Sequence, residues 1–427
     1  MRARPGACSF RARPNRRTRH ESDNFLFVEN AKTTFSPTTA LRHLPPYVFA
    51  ELDRLKNDAR AQGVRLIDLG IGSPDLPISP AITNALTEAA RGRQSHGYPH
   101  FRGAARYLDS IGRFMRSRFG VAIDPLNQAL ALSGAKEGLA QIVMALCGPG
   151  DLALIPEIYY PVYARSVWLV GAEVSWVPMR ANNGFVLDLD AIPEQDAQAA
   201  RVLIINYPNN PTGARVEREF YDRAVAFARR HNVLLISDLA YSELCYGGEP
   251  APSALEADPE CETTIEFHSC SKTFNMAGLR IGFAVGNTDA IDALATYRTN
   301  VGYGTATALQ HAASYALDHR TELVPPTVRE YQHRRDTMIA SFARAGWQIS
   351  APTASMYLWL PVPAGLDDWT WVKMLIRDEG LVVTPGIAFG DGGRGFFRIS
   401  LVREAETLSR AAEAIARRTF ANALLSN

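Results

Sequence analysis

A lysine closing a strand-like run is the most chemically suggestive feature of this chain. Thr264 to His268 reads as a short buried strand, and Ser269-Cys270-Ser271-Lys272 follows it directly, with Arg280 eight residues beyond the lysine. Most lysines are solvated surface charges. At a buried strand end, desolvation lowers the amine pKa and makes it a nucleophile toward carbonyls. Two serine hydroxyls and a guanidinium beside it form an anion cradle suited to a phosphate. A nucleophilic lysine next to a phosphate site is what an internal aldimine with pyridoxal phosphate requires.

Other residues fit the same chemistry. Asp238, in Ser237-Asp238-Leu239-Ala240-Tyr241, emerges at the end of the apolar run Val233 to Ile236. Alone it reads equally well as a helix N-cap, yet a carboxylate there can keep a pyridine nitrogen protonated and make the ring an electron sink. Tyr241 stands where it can donate to that ring's phenolate oxygen. Tyr207-Pro208-Asn209-Asn210-Pro211-Thr212-Gly213 follows Val202 to Ile205; such a run is by default a turn, but two prolines stiffen it enough to aim an asparagine at a ligand. Ser133-Gly134-Ala135-Lys136-Glu137-Gly138 joins a strand to a helix whose first amides can meet a phosphate, without Walker spacing. Gly70-Ile71-Gly72 lacks the third glycine of a dinucleotide fingerprint. Arg398 lies inside the apolar strand Phe397-Arg398-Ile399-Ser400; such an arginine commonly satisfies a structural carboxylate, and its fork equally suits a substrate α-carboxylate.

The elements that must position these residues alternate. Leu130 to Leu132, Leu152 to Ile155, Val202 to Ile205, Val233 to Ile236 and Thr264 to His268 read as strands, with helices over Glu137 to Leu146 and Glu217 to Arg230. Strands this apolar are buried on both faces, so the expected fold class is α/β: a three-layer αβα domain with a mainly parallel sheet. Ligands then bind at the strands' carboxyl ends. Ahead of it, Val48, Phe49, Leu52 and Leu55 mark a helix, Leu66 to Leu69 a strand, and Pro80 to Arg91 and Gly103 to Phe119 two more helices. The later chain reads as a smaller α+β domain. It has a long helix from Pro326 to Ala345, strands Met356 to Leu360, Leu381 to Thr384 and Phe396 to Ile399, a helix from Trp369 to Glu379, and a last helix from Glu404. The expected divisions are an extension over 1–43, a segment over 44–77 packing with the small domain, a large cofactor-binding domain over 78–317 and a small domain over 318–427.

Composition excludes several classes. With 427 residues, 47% hydrophobic and 21% charged, the chain is ordinary globular material. A net charge of +1 gives no global field for nucleic acid or anionic lipid. No apolar run approaches the length of a membrane span. The five cysteines are scattered without metal-ligand spacing, which predicts a reducing, cytoplasmic compartment and no metal. The first twenty residues carry seven arginines and no acid, leaving 38 basic against 44 acidic residues in the rest. Pro5 and Pro14 interrupt any amphipathic helix there, so a disordered extension is expected ahead of a targeting signal.

Taken together, the motifs resemble the class I/II aminotransferases of the fold type I pyridoxal phosphate superfamily, in that family's order and over about Leu44 to Phe420. The finer pattern, with Leu44-Pro45-Pro46-Tyr47, Leu69-Gly70-Ile71-Gly72, Gly97-Tyr98 and Glu266-Phe267-His268-Ser269, is similar to the LL-diaminopimelate and alanine aminotransferase branch. The resemblance implies a homodimer with shared active sites, acting on a small amino acid and a 2-oxo acid by a ping-pong aldimine and ketimine sequence. It implies that Lys272 forms the aldimine and shuttles the proton, that Asp238 pairs with the pyridinium nitrogen, and that Asn210 and Tyr241 bind the phenolate oxygen. Gly134, Ala135, Lys136, Ser269, Ser271 and Arg280 would hold the phosphate, joined by Tyr98 of the partner subunit. Tyr160 would stack on the ring, with Tyr159 its rival; Arg398 would clamp the α-carboxylate, and Gly72 and Asn210 would line the substrate site.

Two departures from the family pattern bear on function. Gly278-Leu279-Arg280 has leucine where the branch has tryptophan, a packing change. Asn300 to Thr307 departs from the related enzymes, which typically have acidic or hydroxyl residues and then a Phe-Gln pair where Ala306-Thr307 stands, and this leaves the amino donor open among LL-diaminopimelate, alanine and aspartate types. A second substrate carboxylate would need another cation, for which Arg102, Arg106 and the loop near Tyr303 are the candidates. The rival activities are β-elimination on the same scaffold and a regulator built on an aminotransferase-like domain, for which the Arg- and Pro-rich N-terminal residues offer no helix-turn-helix.

Overall fold

The computed structural model describes residues 36–248 and 250–425, with side chains as far as residue 421. The basic extension, with Cys8, lies outside the described residues up to position 35. The last residues of the expected extension form a short helix, Thr39–His43. Ala40–Asn427 forms a compact unit of its own.

In chain order the strands are β1 (Ile67–Asp68), β2 (Ala129–Leu132), β3 (Leu152–Pro156), β4 (Glu173–Val177), β5 (Ala200–Asn206), β6 (Leu234–Asp238), β7 (Thr264–Ser269), β8 (Gly282–Gly286), β9 (Tyr357–Pro361), β10 (Leu381–Val382), β11 (Thr384–Pro385) and β12 (Phe396–Ser400). Strands β2 to β8 form one sheet in the order β2-β8-β7-β6-β5-β3-β4. Only β8 runs antiparallel to its neighbours. The mainly parallel αβα expectation therefore holds, and the residues say why. Along β5, Val202 and Ile204 enter one core with the helices Ala135–Leu146 and Thr288–Val301, whereas Leu203 and Ile205 enter another with the helix Arg218–His231. A strand wetted on neither face must be apolar at every position.

Two strands escaped the sequence reading. β4 is the sheet edge, and its Glu173 and Trp176 are exposed, which dilutes the apolar signal. β8 begins and ends in glycine and so reads as punctuation. At Gly286, with φ +136°, a Cβ would fall 2.2 Å from the Thr264 carbonyl oxygen, so only glycine lets β8 lie against β7 there.

The second sheet is antiparallel, in the order β11-β12-β9, while β1 pairs in parallel with β10. Its core joins Leu52 and Leu69 to Leu358, Trp371, Phe397 and Leu408. The long helix here is Arg320–Arg344, starting six residues before the position its prolines suggested. Pro325 and Pro326 lie in its second turn, each forfeiting a ladder hydrogen bond, instead of marking its first. The expected strand Leu381 to Thr384 is split between β10 and β11.

Candidate active site

Three neighbouring strand ends supply the floor of the site. β5, β6 and β7 run parallel, with Asn206 opposite Asp238 and Asp238 opposite Phe267. Asn206 Nδ2 donates to the Asp238 carbonyl at 2.7 Å, and Asn206 Oδ1 accepts from the Asn210 amide at 2.9 Å. The following turn holds two cis peptide bonds, Tyr207–Pro208 and Asn210–Pro211. Asn209 turns inward, its Oδ1 accepting from the Thr212 amide and hydroxyl at 3.0 and 2.8 Å. That leaves Asn210 to face the cavity.

Asp238 is buried, and desolvation pushes its carboxyl up to about 6 against a 2.6 Å hydrogen bond donated by Tyr163. Lys272 sits on the single turn Cys270–Thr273, capped by Ser269 Oγ, which accepts from the Ser271 amide at 3.2 Å. Its Nζ donates to the Gly72 carbonyl at 2.5 Å. The side chain opens onto the cavity while packed protein withholds bulk water, and that desolvation pulls its pKa below the usual lysine range. The lysine shift favours the neutral amine the chemistry needs, whereas the Asp238 shift disfavours its carboxylate, a penalty that a cationic neighbour would relieve.

Arg398, in β12, is 3% exposed. Its Nη1 donates to Asn210 Oδ1 at 2.8 Å and its Nη2 to the Gly70 carbonyl at 2.6 Å, while its Nε is buried without a partner. The guanidinium lies between the rings of Tyr357 and Phe389, at 4.3 and 4.8 Å from their centroids. Among the described residues no carboxylate pairs with it, so the structural-carboxylate reading has no support and an anionic ligand is the fitting complement.

On the opposite wall the helix Ala135–Leu146 starts at Gly134 without a side-chain cap, leaving its first amides free of intrahelical acceptors. Gly134 has φ +92°, and a Cβ there would meet Arg280 Nη2 at 2.6 Å. Arg280 itself has φ +51° and donates Nη1 to the Ala277 carbonyl at 2.9 Å. Lys136 stands beside it, its pKa lowered by burial and then by the Arg280 and Arg165 charges. Two cations crowded at an uncapped helix N-terminus fit a phosphate.

Gly72, Ala135, Lys136, Tyr160, Asn210, Asp238, Tyr241, Ser269, Ser271, Lys272, Arg280 and Arg398 all line one cavity of about 460 Å³. A larger groove of about 1070 Å³ shares only Tyr47 and Phe49 with it and holds none of these groups. Of the two rival tyrosines, Tyr160 lines the cavity, whereas Tyr159 stacks on Trp176 at 5.1 Å in the groove. Tyr98 does not reach the cavity of its own chain; it is 82% exposed and stacks on Tyr303 at 4.3 Å. Arg102 is paired with Asp292, and neither it nor Arg106 lines the cavity. Leu279 packs against the apolar cluster behind the site.

Sequence reasoning missed Tyr163, which bonds Asp238, and Tyr357, whose Oη is 2.8 Å from Tyr241 Oη. Both stand in apolar runs and read as core. The assembled groups fit pyridoxal phosphate: a desolvated lysine, an anion cradle, a buried carboxylate with no cationic partner, and a tyrosine and an asparagine between them. Among the described residues no cluster of metal-ligating side chains occurs, and no helix is long and apolar enough to cross a membrane.

Comparison with known proteins agrees. The sequence pattern of the family described as aminotransferase class I and II matches residues 64–415. The LL-diaminopimelate aminotransferase of Syntrophobacter fumaroxidans is 41% identical over 386 residues, covering 90% of this chain and all of that one. That of Aquifex aeolicus is 41% identical over 381 residues, covering 89% and 98%. Among solved structures, substrate-bound BacF from Bacillus subtilis superposes with a TM-score of 0.86 at 34% identity, covering 91% and 98%. A probable N-succinyldiaminopimelate aminotransferase from Thermus thermophilus gives 0.81 at 37%, covering 87% and 99%.

Proposed function

The chain belongs to the class I and II aminotransferase family, and on that premise we propose how its own residues move an amino group. It is a pyridoxal phosphate-dependent aminotransferase of fold type I, acting between an amino acid and a 2-oxo acid. The observation that carries the residue assignments is the convergence of Lys272, Asp238, Asn210, Tyr241, Arg280 and Arg398 on one cavity. Pyridoxal phosphate supplies, when bound, a carbonyl that condenses with amines and a ring that accepts electrons.

Lys272 is the covalent anchor, and its Nζ carries the proton removed from the substrate Cα. Asp238 keeps the ring nitrogen protonated, and Tyr163 fixes that carboxylate. Tyr241 and Asn210 donate to the phenolate oxygen, and Tyr160 covers a ring face. The amides after Gly134, the hydroxyls of Ser269 and Ser271, and Arg280 and Lys136 hold the phosphate. Arg398 clamps the substrate α-carboxylate beside Gly72. The amino acid leaves as a 2-oxo acid, and a second 2-oxo acid then occupies the same arginine.

The active unit is a homodimer in which Tyr98 of the partner subunit completes the phosphate site; the outward position of Tyr98 supports this. The working body comprises a large domain over 78–317 and a small one over 318–427, with 44–77 joined to the latter through β1 and β10. A cytoplasmic setting suits Cys147, Cys245, Cys261 and Cys270, all unpaired. LL-diaminopimelate, the substrate in the names of the relatives, is the first donor to test. A donor panel with the holoenzyme should convert at least one amino acid to its 2-oxo acid, one per cofactor, with bleaching of the visible band and no free ammonia. Release of ammonia with continued turnover would instead support elimination.

A further inference from the structure

Tyr357 opens β9 and is 1% exposed, and its ring belongs to the core of the second sheet. That position asks only for a ring, and phenylalanine would fill it. The hydroxyl needs another reason, and its surroundings supply one. Tyr357 Oη lies 2.8 Å from Tyr241 Oη. The face of the same ring carries the Arg398 guanidinium at 4.3 Å. A Cβ on Gly72 would come within 2.2 Å of Tyr357 Oη, and the Gly72 carbonyl is the acceptor of Lys272 Nζ at 2.5 Å. One side chain thus touches the groups assigned to the cofactor oxygen and the substrate carboxylate, and abuts the glycine whose carbonyl holds the catalytic amine.

We infer that Tyr357 is a positioning residue for amino transfer, its hydroxyl orienting Tyr241 and its ring seating Arg398. The inference rests on the site assignments proposed above. Two hydroxyls share one hydrogen along their axis. If Tyr241 is to donate to the cofactor phenolate oxygen, the shared hydrogen must come from Tyr357. A hydroxyl that accepts a hydrogen bond donates more strongly, because chains of such bonds polarise one another. The ring acts separately: a cation over an aromatic face is held electrostatically, more strongly once desolvated. Lys272, Asp238 and Arg398, the charged groups facing the tyrosine pair, stay unchanged when only the hydroxyl is removed.

The test compares Tyr357→Phe, Tyr357→Leu and Tyr241→Phe holoenzymes. Two quantities are read: the pKa of the cofactor's visible absorbance, and the affinity for an α-methyl amino acid, which has no Cα proton to lose. Tyr357→Phe should raise the spectral pKa by about 0.2 to 0.6 unit and leave affinity within about twofold. Tyr357→Leu should show the same rise and bind about 3- to 30-fold more weakly. Tyr241→Phe should raise the spectral pKa further than either. A Tyr357→Phe enzyme that titrates like the parent, while Tyr241→Phe shifts, overturns the role of Tyr357 alone. A Tyr241→Phe enzyme that also fails to shift overturns the site assignment and this inference with it. Should Tyr357→Leu not fold, the isosteric Tyr357→Phe decides.

Discussion

Asp238 and Arg398 carry opposite charges into one cavity, and among the described residues neither has a counter-charge of its own. Asp238 is met by the Tyr163 hydroxyl and, at 3.3 Å, the Ala240 amide; Arg398 is met by Asn210 and the Gly70 carbonyl. Burying unpaired charge is expensive, so each residue implies an ionic ligand, and each implication can be measured. Arg398→Ala should lower kcat/KM by tens to a few thousand fold, because truncating one partner of a buried charge pair costs about 2–5 kcal/mol. Its cofactor retention on dialysis should barely change. Arg280→Ala should do the reverse, losing cofactor while any loaded enzyme keeps its substrate affinity. For Asp238 the sign of the pH effect is fixed by its carboxyl standing near 6 when folded, against about 3.8 unfolded. The native cofactor-free protein binds more protons between those values, so Asp238 subtracts stability as pH rises from about 4 to 6, by about 2–3 kcal/mol in total. Cofactor-free Asp238→Asn should therefore melt above the parent at pH 8 and level with it at pH 4, while its holoenzyme turnover falls about a hundredfold or more. An unchanged melting difference across that range would contradict the buried unpaired carboxylate.

The helix Ala135–Leu146 shows how an element turns backbone conformation into a binding site. Gly134 at φ +92° brings the chain round so that the first amides and Arg280 meet, with no room for a Cβ between them. Gly134→Ala should weaken cofactor binding about tenfold or more, since displacing Arg280 forfeits a charge-assisted hydrogen bond worth about 1.5–3 kcal/mol. Equilibrium titration of the cofactor-free protein with pyridoxal phosphate measures it. Much of the site was legible in sequence for a related reason: Asp238, Asn210, Lys272 and Gly134 all stand where an apolar run stops, and polar residues at the end of a buried strand must face something. Tyr357 and Tyr163 were illegible because they lie within apolar runs, where an aromatic is read as core. β4 and β8 were missed because an exposed edge strand and a glycine-bounded strand lose the apolar signal, and the helix Arg320–Arg344 was read short because its prolines looked like a beginning. Each miss is a place where tertiary packing, not local pattern, decided the outcome.

At the scale of the whole molecule, the proposed dimer makes a prediction that a monomer cannot share. Tyr98 is exposed and does not line the cavity of its own chain, so in the proposed dimer its contribution crosses to the second copy. Mixing inactive Lys272→Ala subunits with impaired Tyr98→Ala subunits should create hybrids with one intact site each, about a quarter of the parental sites in a random equal mixture. If Tyr98 served its own chain, mixing would restore nothing. Every role assigned to the cavity turns on one amine just beyond β7, that of Lys272, and borohydride reduction of the holoenzyme tests it directly. Reduction fixes the cofactor covalently to whichever amine holds it, and peptide mapping then reads the residue. The cofactor should be found on Lys272, in the peptide that also contains Ser269 and Ser271. Recovery of the reduced cofactor on Lys136 or any other lysine would contradict the assignment on which every other role depends.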